Sequence, residues 1–301
     1  MTTPTYTPTT EEALAALMGD APAAGAGGAA AGRADSTLTP SSVHSLTILP
    51  GHDKRGASEQ FSRLTFTAGD VVCVVGATGS GKSRLLADIE WLAQADTPTG
   101  RSVLVNGVAP DLSGRYSGGG RMVAQLSQNM NFVMDATVGE FLHLHAESRG
   151  VELSSEDLSE IVEGANRLTG EPLSEYRQLT ELSGGQSRAL MIADTALLSS
   201  SPIILIDEIE NAGIDRHQAI RLLQGAEKIV LVATHDPSLA LTAPRRLVLT
   251  NGGISDVRQR TTAEERLAAR LTQLDELQAD LRAAIRGGEA LGRFADDERL
   301  P

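Results

Sequence analysis

Aromatic residues are scarce in this chain, at 3% of its 301 residues. A large core must therefore be built from aliphatic side chains, and a hydrophobic content of 41% is sufficient for one. The single cysteine, Cys73, has no partner for a disulfide within the chain, which fits a reducing cytoplasm. The length and composition of the chain fit one large α/β domain with tails and exclude a disulfide-rich secreted scaffold.

Long apolar runs and basic charge are also lacking. No apolar stretch approaches the roughly 18 residues of a membrane-spanning helix. The N-terminus has neither a Lys or Arg before Arg33 nor the apolar segment of a signal peptide. The net charge of −13 argues against a broad basic surface for nucleic acid. We expect no spanning helix, no signal peptide and no specific nucleic-acid partner.

A glycine-rich loop of the form G-x-x-x-x-G-K-S occupies residues 76–83, with the sequence Gly76-Ala77-Thr78-Gly79-Ser80-Gly81-Lys82-Ser83. Residues 71–75 before it are mostly β-branched, and residues 84–92 after it have helical periodicity, which is the context a phosphate-binding loop needs. Its glycines let backbone N–H groups approach phosphate oxygens, and the helix N-terminus adds partial positive charge. We expect Lys82 to reach the β- and γ-phosphates of ATP and Ser83 to ligate Mg²⁺.

An acid pair follows an entirely apolar run at residues 203–206. Such a run is typical of a parallel strand that is buried on both faces. A parallel strand delivers the residues at its carboxyl end to the ligand crevice of an α/β sheet. We therefore expect Asp207 to hold Mg²⁺, directly or through water, and Glu208 to polarise the attacking water.

Between these two motifs lies a third, with the sequence Leu182-Ser183-Gly184-Gly185-Gln186-Ser187-Arg188. The order and spacing of the three motifs resembles the ATP-binding cassette (ABC) ATPase family, over roughly residues 43–255. The resemblance implies a dimer of two copies or of two different cassettes, in which this signature faces the γ-phosphate held by the opposite subunit, through Ser183, Gly184, Gly185 and Gln186. The serine hydroxyl, the glycine N–H groups and the start of a helix make a physically reasonable anion site. Ser183 can also serve as a helix N-cap, and both roles can hold together.

The same resemblance assigns further positions. Gln128 matches the glutamine loop, whose amide contacts Mg²⁺ and the attacking water, with Gln125 as a nearby competitor. His235 matches the switch histidine that contacts the γ-phosphate, and Asp215 matches the aspartate of the D-loop that crosses the dimer interface. The predicted catalytic residues are Glu208, His235, Gln128 and Lys82, and the predicted metal ligands are Ser83, Gln128 and Asp207.

Several residues depart from the family pattern. Ile209 replaces a common proline after the catalytic acid, and the stretch from Asp207 to Asp215 is one residue longer than usual. Asp194 stands where an arginine is common, and no aromatic residue upstream of the phosphate loop is placed to stack on adenine, which leaves His52 as a candidate. These changes leave the phosphate chemistry intact and put adenine stacking and the detailed dimer contact in question.

Three segments are expected along the chain. Residues 1–40 are rich in Ala, Gly, Thr and Pro and predict a disordered tail. Residues 41–258 form the ABC ATPase domain, an α/β unit in which a P-loop core sheet carries a small antiparallel β-subdomain and a helical signature subdomain. Residues 262–301 form a C-terminal amphipathic helix and tail. This helix either packs on its own domain or contacts a partner, through apolar residues at spacings of three and four: Leu267, Leu271, Leu274, Leu277, Leu281 and Ile285.

The combined prediction is a Mg²⁺-dependent ATPase that supplies energy to an ABC transporter through a membrane permease subunit. It would be cytoplasmic, or peripheral at the inner face of the cell membrane through that partner. The alternative is a soluble ABC-type ATPase that remodels a protein or cofactor complex. A set of apolar side chains can line a groove for a helix of the membrane partner or pack in the core: Met130, Phe132, Met134 and Phe141.

Overall fold

The computed structural model describes residues 43–111, 122–127, 131–208, 213–295, 297 and 299. The predicted tail at 1–40, Gln128, Met130 and Ile209 lie outside the described residues. In chain order the strands are β1 (Ser45–Leu49), β2 (Leu64–Thr67), β3 (Val71–Val75), β4 (Ser102–Val105), β5 (Val123–Leu126), β6 (Ile203–Asp207), β7 (Ile229–Ala233), β8 (Arg245–Thr250) and β9 (Gly253–Gln259). The α-helices are α1 (Lys82–Glu90), α2 (Val138–Ser148), α3 (Ser155–Leu168), α4 (Gly184–Leu197), α5 (Arg216–Gly225), α6 (Pro237–Thr242) and α7 (Thr262–Arg286).

The main sheet has the strand order β5-β6-β7-β3-β8-β9, in which only the β8–β9 pair is antiparallel. Alternate residues of its inner strands enter cores on opposite faces: Ile203 and Leu205 pack on one side, and Ile204 and Ile206 on the other. Burial on both faces explains why these strands carry almost no polar side chains. The carboxyl ends of β6, β7 and β3 are adjacent, so the loops that follow them meet at one edge.

A smaller antiparallel sheet of order β2-β1-β4 packs over one face of the main sheet. Its side chains Leu46, Ile48 and Phe66 are fully buried in the same core as Leu85 and Ile89 of α1. The small sheet therefore covers the face that carries the phosphate-loop helix. The predicted α/β fold with a small antiparallel β-subdomain is confirmed.

The opposite face is covered by helices, and α2, α3 and α4 each begin with a capping box. Thr137, Ser154 and Ser183 accept the N–H three residues ahead, and the side chain at that position accepts the N-cap N–H in return. These reciprocal bonds satisfy helix donors that would otherwise lack partners, which explains where the helices begin. Together these helices form the subdomain that carries the signature.

The C-terminal helix α7 packs against α6, and only part of its leucine stripe is covered. Leu277 is 3% exposed and packs with Ala284 and Phe294, whereas Leu267 and Ile285 are 50% and 60% exposed. The helix therefore contacts its own domain through α6, while Leu277 packs with residues of α7 and of the turn that follows it. Within the described ranges, no helix has both the length and the apolar character needed to cross a bilayer.

A fully buried arginine lies beneath the phosphate loop. The guanidinium of Arg101 pairs with Glu59 at 2.6 Å and with Asp88 of α1 at 3.0 Å, and it donates to the carbonyl oxygen of Gly252 at 2.8 Å. Burial by itself raises the pKa of Glu59, but hydrogen bonds from Arg101 and from the N–H groups of Ile254 and Gly51 outweigh it and hold that pKa below its usual range. This network joins the segment after β1, helix α1 and the β8–β9 turn.

Candidate nucleotide site

The phosphate loop connects β3 to α1, and Gly81 lies at its critical bend. Gly81 has a φ of 104°, and a Cβ atom at this position would lie 2.9 Å from the Cα atom of Gly252. Only glycine combines this left-handed backbone with so close an approach. As the N-cap, Gly81 offers α1 no side-chain hydrogen bond. The first N–H groups of α1 therefore remain available to an anion.

Lys82 is only 6% exposed, and its side chain points back to the start of the phosphate loop. Its Nζ atom donates to the carbonyl oxygens of Gly76 at 3.0 Å and Ala77 at 3.5 Å, and it lies 2.9 Å from Nε2 of His235. An ammonium group has three donors and no acceptor, so Nε2 of His235 is the acceptor in this contact. An open cleft of about 350 Å³ borders Gly76 and His235, between the loop and α6.

The acid pair ends β6 as predicted, and the strand places the two carboxylates differently. Asp207 is partly buried, and its Oδ1 atom has no hydrogen-bond partner. Glu208 has a φ of 56°, which is rare for a residue other than glycine, and its N–H donates to the carbonyl oxygen of Ala233 at 3.0 Å. Its Oε1 atom lies 3.4 Å from Nε2 of His235. Strained backbone of this kind is concentrated at functional sites.

These donors fit a magnesium nucleotide. An unpaired buried polar atom costs about 1–3 kcal/mol, and both Oδ1 of Asp207 and Oγ of Ser80 are in this position. Ser83 is exposed in the first turn of α1. In the part of the chain that the structure describes, no group of three or more His, Cys, Asp or Glu residues could hold a metal. The Ser83 hydroxyl, the Asp207 carboxylate and phosphate oxygens are the kinds of ligand that Mg²⁺ commonly takes.

The signature residues lie at the start of α4, where Ser183 and Gly184 are exposed. Ser183 accepts the N–H of Gln186 at 3.3 Å, and Gln186 accepts the N–H of Ser183 at 3.0 Å. Gln186 is 2% exposed and donates to the carbonyl oxygens of Glu171 and Pro172. Its side chain is thus fixed within its own subunit, while the serine and the glycine face outward.

Two other predicted positions have clear local partners. Asp215 is the exposed N-cap of α5 and accepts the N–H of Gln218 at 2.9 Å. Gln125, the competitor of Gln128, lies on β5 with its side-chain amide against the carboxylate of Glu90. Because a carboxylate only accepts, we assign the amide nitrogen to the side that faces it, at 2.6 and 3.0 Å. Gln125 therefore contacts the C-terminal end of α1.

Two segments hold the phosphate loop from outside and were not predicted. The ammonium of Lys54 donates to the carbonyl oxygen of Gly79 at 2.7 Å. The N–H of Gly252 donates to the carbonyl oxygen of Ser80 at 2.8 Å. The Asn-Gly pair at 251–252 is a local signal for a hairpin turn, but no local pattern signals contacts between segments so far apart in sequence. His52 lies in the Lys54 segment and is exposed.

The fold and this site define a P-loop nucleotide-binding protein, and comparison with known proteins narrows the class. A family model described as ABC transporter matches residues 60–211. The chain is 51% identical over 249 residues to an uncharacterized ABC transporter ATP-binding protein of Methanocaldococcus jannaschii, covering 83% of this chain and 95% of that protein. It is 30% identical over 207 residues to a lipoprotein-releasing system ATP-binding protein of Psychrobacter arcticus, covering 63% of this chain and 85% of that protein.

Among solved structures, cbiO1 from Clostridium perfringens, described as part of an ABC transporter complex, matches with a TM-score of 0.55. It shares 18% identity and covers 76% of this chain and 94% of that one, so it supports the fold alone. The sequence matches show that the chain belongs to the ABC transporter family, as one of its ATP-binding subunits. They favour the transporter interpretation over a soluble remodelling ATPase.

Proposed function

We propose that this chain hydrolyses ATP with Mg²⁺ as the energy-supplying subunit of an ABC transporter, in a dimer that encloses the nucleotides. Catalysis is assigned to residues 41–258, with 262–301 as a C-terminal helix and tail. The observation that carries the proposal is the position of His235, whose Nε2 atom lies 2.9 Å from Nζ of Lys82 and 3.4 Å from Oε1 of Glu208. The three residues follow three adjacent parallel strands.

The loop at 76–83 would bind the phosphates of ATP through its backbone N–H groups and Lys82. Ser83, Asp207 and Gln128 would hold Mg²⁺, which neutralises phosphate charge when bound. Lys82 exchanges its contact with His235 for the β- and γ-phosphates. Nε2 of His235 is then free to carry a proton and donate to a γ-phosphate oxygen, while Glu208 orients and polarises the attacking water.

The second half of each site would come from a partner subunit, either another copy of the chain or a different cassette. The exposed hydroxyl of Ser183 and the N–H groups of Gly184 and Gly185, at the start of α4, are suited to an anion. They would face the γ-phosphate held by the partner, with Gln186 supporting the turn. Asp215, exposed at the start of α5, would contact the partner beside them.

The permease contact is assigned to the surface around Val133, which is 97% exposed. The half-buried Phe132 and Phe141 meet edge to face at 4.9 Å, and with Met134 they pack against the core of the helical face. They thus anchor this surface in the core, and the exposed part of each side chain would remain available to a helix of the membrane partner. Binding there would place the chain at the cytoplasmic face of the membrane.

The test has two parts. Purified protein should hydrolyse ATP in MgCl₂. EDTA should abolish the activity because it removes Mg²⁺, and Lys82→Ala should abolish it because the lysine contact with the phosphates is lost. Isolation of the complex from native membranes should recover a multispanning membrane protein, and Val133→Glu should reduce that recovery while leaving ATP hydrolysis by the isolated chain unchanged. ATP turnover in Lys82→Ala at the wild-type rate would refute the site. Recovery of a soluble partner instead would refute the transporter role.

A further inference from the structure

One guanidinium group joins the segments that follow the two proposed catalytic loops. Arg216 is the first residue of α5, directly after Asp215, and Asp236 directly follows His235. The Nη1 atom of Arg216 lies 2.5 Å from Oδ2 of Asp236. Oδ1 of Asp236 meanwhile accepts the N–H of Leu239 at 2.9 Å, which caps α6. The carboxylate of Asp236 therefore ties the switch-histidine loop to both α5 and α6.

The other side of the same guanidinium reaches the C-terminal helix. Nη2 of Arg216 donates to Oδ1 of Asp275, on α7, at 2.9 Å. Oδ2 of Asp275 lies 3.2 Å from Nε2 of His217, which also lies 3.0 Å from the hydroxyl of Ser238 on α6. Burial raises the pKa of Asp275, but hydrogen bonds from Ser238 and His217 and the charge of Arg216 outweigh it, so that pKa lies below its usual range.

Burial and geometry make this arrangement stiffer than ordinary surface ion pairs. The side chains of Arg216 and Asp275 are 23% and 24% exposed, and that of Asp236 is 14% exposed. A guanidinium is a planar fork, so two carboxylates on its two nitrogens are fixed relative to each other. Helix α7 is itself anchored near its start, where Glu264 pairs with Arg246 of β8.

We propose that Arg216 and Asp275 are positioning residues for hydrolysis, which fix the switch-histidine loop against the D-loop segment and make α7 part of the catalytic unit. The inference rests on the proposed function of His235. Neither residue is expected to touch the nucleotide. Their loss should therefore leave ATP affinity unchanged and impair only the step that needs His235 in place.

The experiment uses the full chain with Asp275→Asn, Arg216→Gln and the double variant. The matched control is Asp280→Asn, which removes another α7 carboxylate, paired with Arg299 at 2.8 Å. We expect kcat to fall about tenfold in each single variant with KM for ATP within about twofold, and the double variant to be no worse than a single one, because both lesions break one unit. Asp280→Asn should keep wild-type kcat and KM. If Asp275→Asn does not fold, Arg216→Lys should show the same loss of kcat, because an ammonium cannot supply the fork.

Hydrogen exchange of the nucleotide-free protein provides a second, activity-independent measurement. Asp275→Asn should accelerate exchange in peptides covering 234–242 and 213–222, whose capping amides include those of Leu239 and Gln218, and Asp280→Asn should not. Wild-type exchange in Asp275→Asn, or kcat equal to that of Asp280→Asn, would overturn the inference. So would losses that multiply in the double variant. Absence of ATP turnover in the wild type would instead refute the proposed function, and the exchange data would still decide whether the residues position these loops.

Discussion

The Nζ atom of Lys82 lies 2.9 Å from Nε2 of His235, although 153 residues separate them in sequence. Both residues are assigned to the γ-phosphate in the proposed mechanism. In this structure they contact each other instead. The remaining contacts of the ammonium go to the carbonyl oxygens of Gly76 and Ala77, so its donors are satisfied within the protein. Phosphate oxygens can take over these contacts without leaving a buried charge unpaired.

Glu208→Gln should bind ATP and hydrolyse it at least about a hundredfold more slowly than wild type. The amide keeps the shape of the side chain but is a far weaker base toward water. The bound ATP should then hold two subunits together, which light scattering in Mg-ATP can detect. The matched control is Glu227→Gln, since Glu227 is also a glutamate with positive φ, at 52°, but is exposed in the turn after α5. A Glu208→Gln chain that stays monomeric at saturating ATP would argue against the enclosed dimer.

Mixing two inactive variants should restore part of the activity if the signature acts on the partner's nucleotide. Lys82→Ala removes a chain's own phosphate contact, and Ser183→Arg blocks the site of its partner. In a heterodimer one composite site then carries both lesions and the other carries neither. Turnover by isolated heterodimers should approach that of one intact site per dimer, about half of the wild-type value if the two sites fire independently.

Strict coupling of the two sites would hide this recovery in steady state, so single-turnover hydrolysis is measured on heterodimers separated by two affinity tags. Each homodimer serves as a control and should be inactive. A signature acting within its own chain puts one lesion in each site, and no recovery then follows. Confirmed heterodimers that bind ATP at the intact site without a single turnover would contradict the trans arrangement.

Short-range patterns account for much of the fold and for the position of the main site. The apolar runs of β3 and β6 and the glycine loop after β3 follow from local residue types, and they place Lys82 and Asp207 at one edge of the sheet. The contact between Lys54 and Gly79 has no local signature, because it depends on how a separate segment packs. The positive φ of Glu208 is likewise set by its surroundings and by its hydrogen bond to the backbone of β7.

The C-terminal helix shows a related limit. Its leucine spacing predicts an apolar stripe, but α6, the helix on which it packs, has only six residues and covers little of it. Leu277 is buried while Leu267 stays exposed, and the leucine spacing does not predict this difference. The role proposed for Asp275 was missed for the same reason, since Arg216 and His217, with which it interacts, lie on another helix, α5.

Arg101→Met should destabilise the folded protein by about 3–5 kcal/mol, because it leaves Glu59 and Asp88 buried without their cation. The control is Arg258→Met, which breaks a 2.6 Å pair with Asp256 at a side chain that is 65% exposed and should cost under about 1 kcal/mol. Urea unfolding at neutral pH measures both. Equal free energies of unfolding for the two variants would show that the buried network contributes no more than a surface pair.

Lys228 should make the stability of the protein rise with pH in the alkaline range. Lys228 is 7% exposed, and its ammonium donates to the carbonyl oxygens of Thr195, in the last turn of α4, and of Ser199, just beyond it. Burial, with a smaller contribution from the charge of Arg149, outweighs the opposing charge of Asp194 and lowers the pKa of Lys228 from 10.5 to about 8. Below pH 8 both the folded and the unfolded chain are protonated and the cost of burying the charge is fully present.

Between pH 8 and 10.5 the unfolded chain binds the proton more tightly than the folded one, so the free energy of unfolding increases with pH. From pH 7.5 to 9.5 this group alone should add about 2 kcal/mol, since one pKa unit corresponds to about 1.4 kcal/mol. Lys228→Met has no titrating group at this position, so its free energy of unfolding should lack this increase. Lys54→Met removes an exposed lysine and should retain the increase. Urea unfolding at both pH values provides the measurement, and the titrating groups that all three proteins share cancel in the comparison. Parallel pH dependences for the wild type and Lys228→Met would show that Lys228 does not titrate in this range.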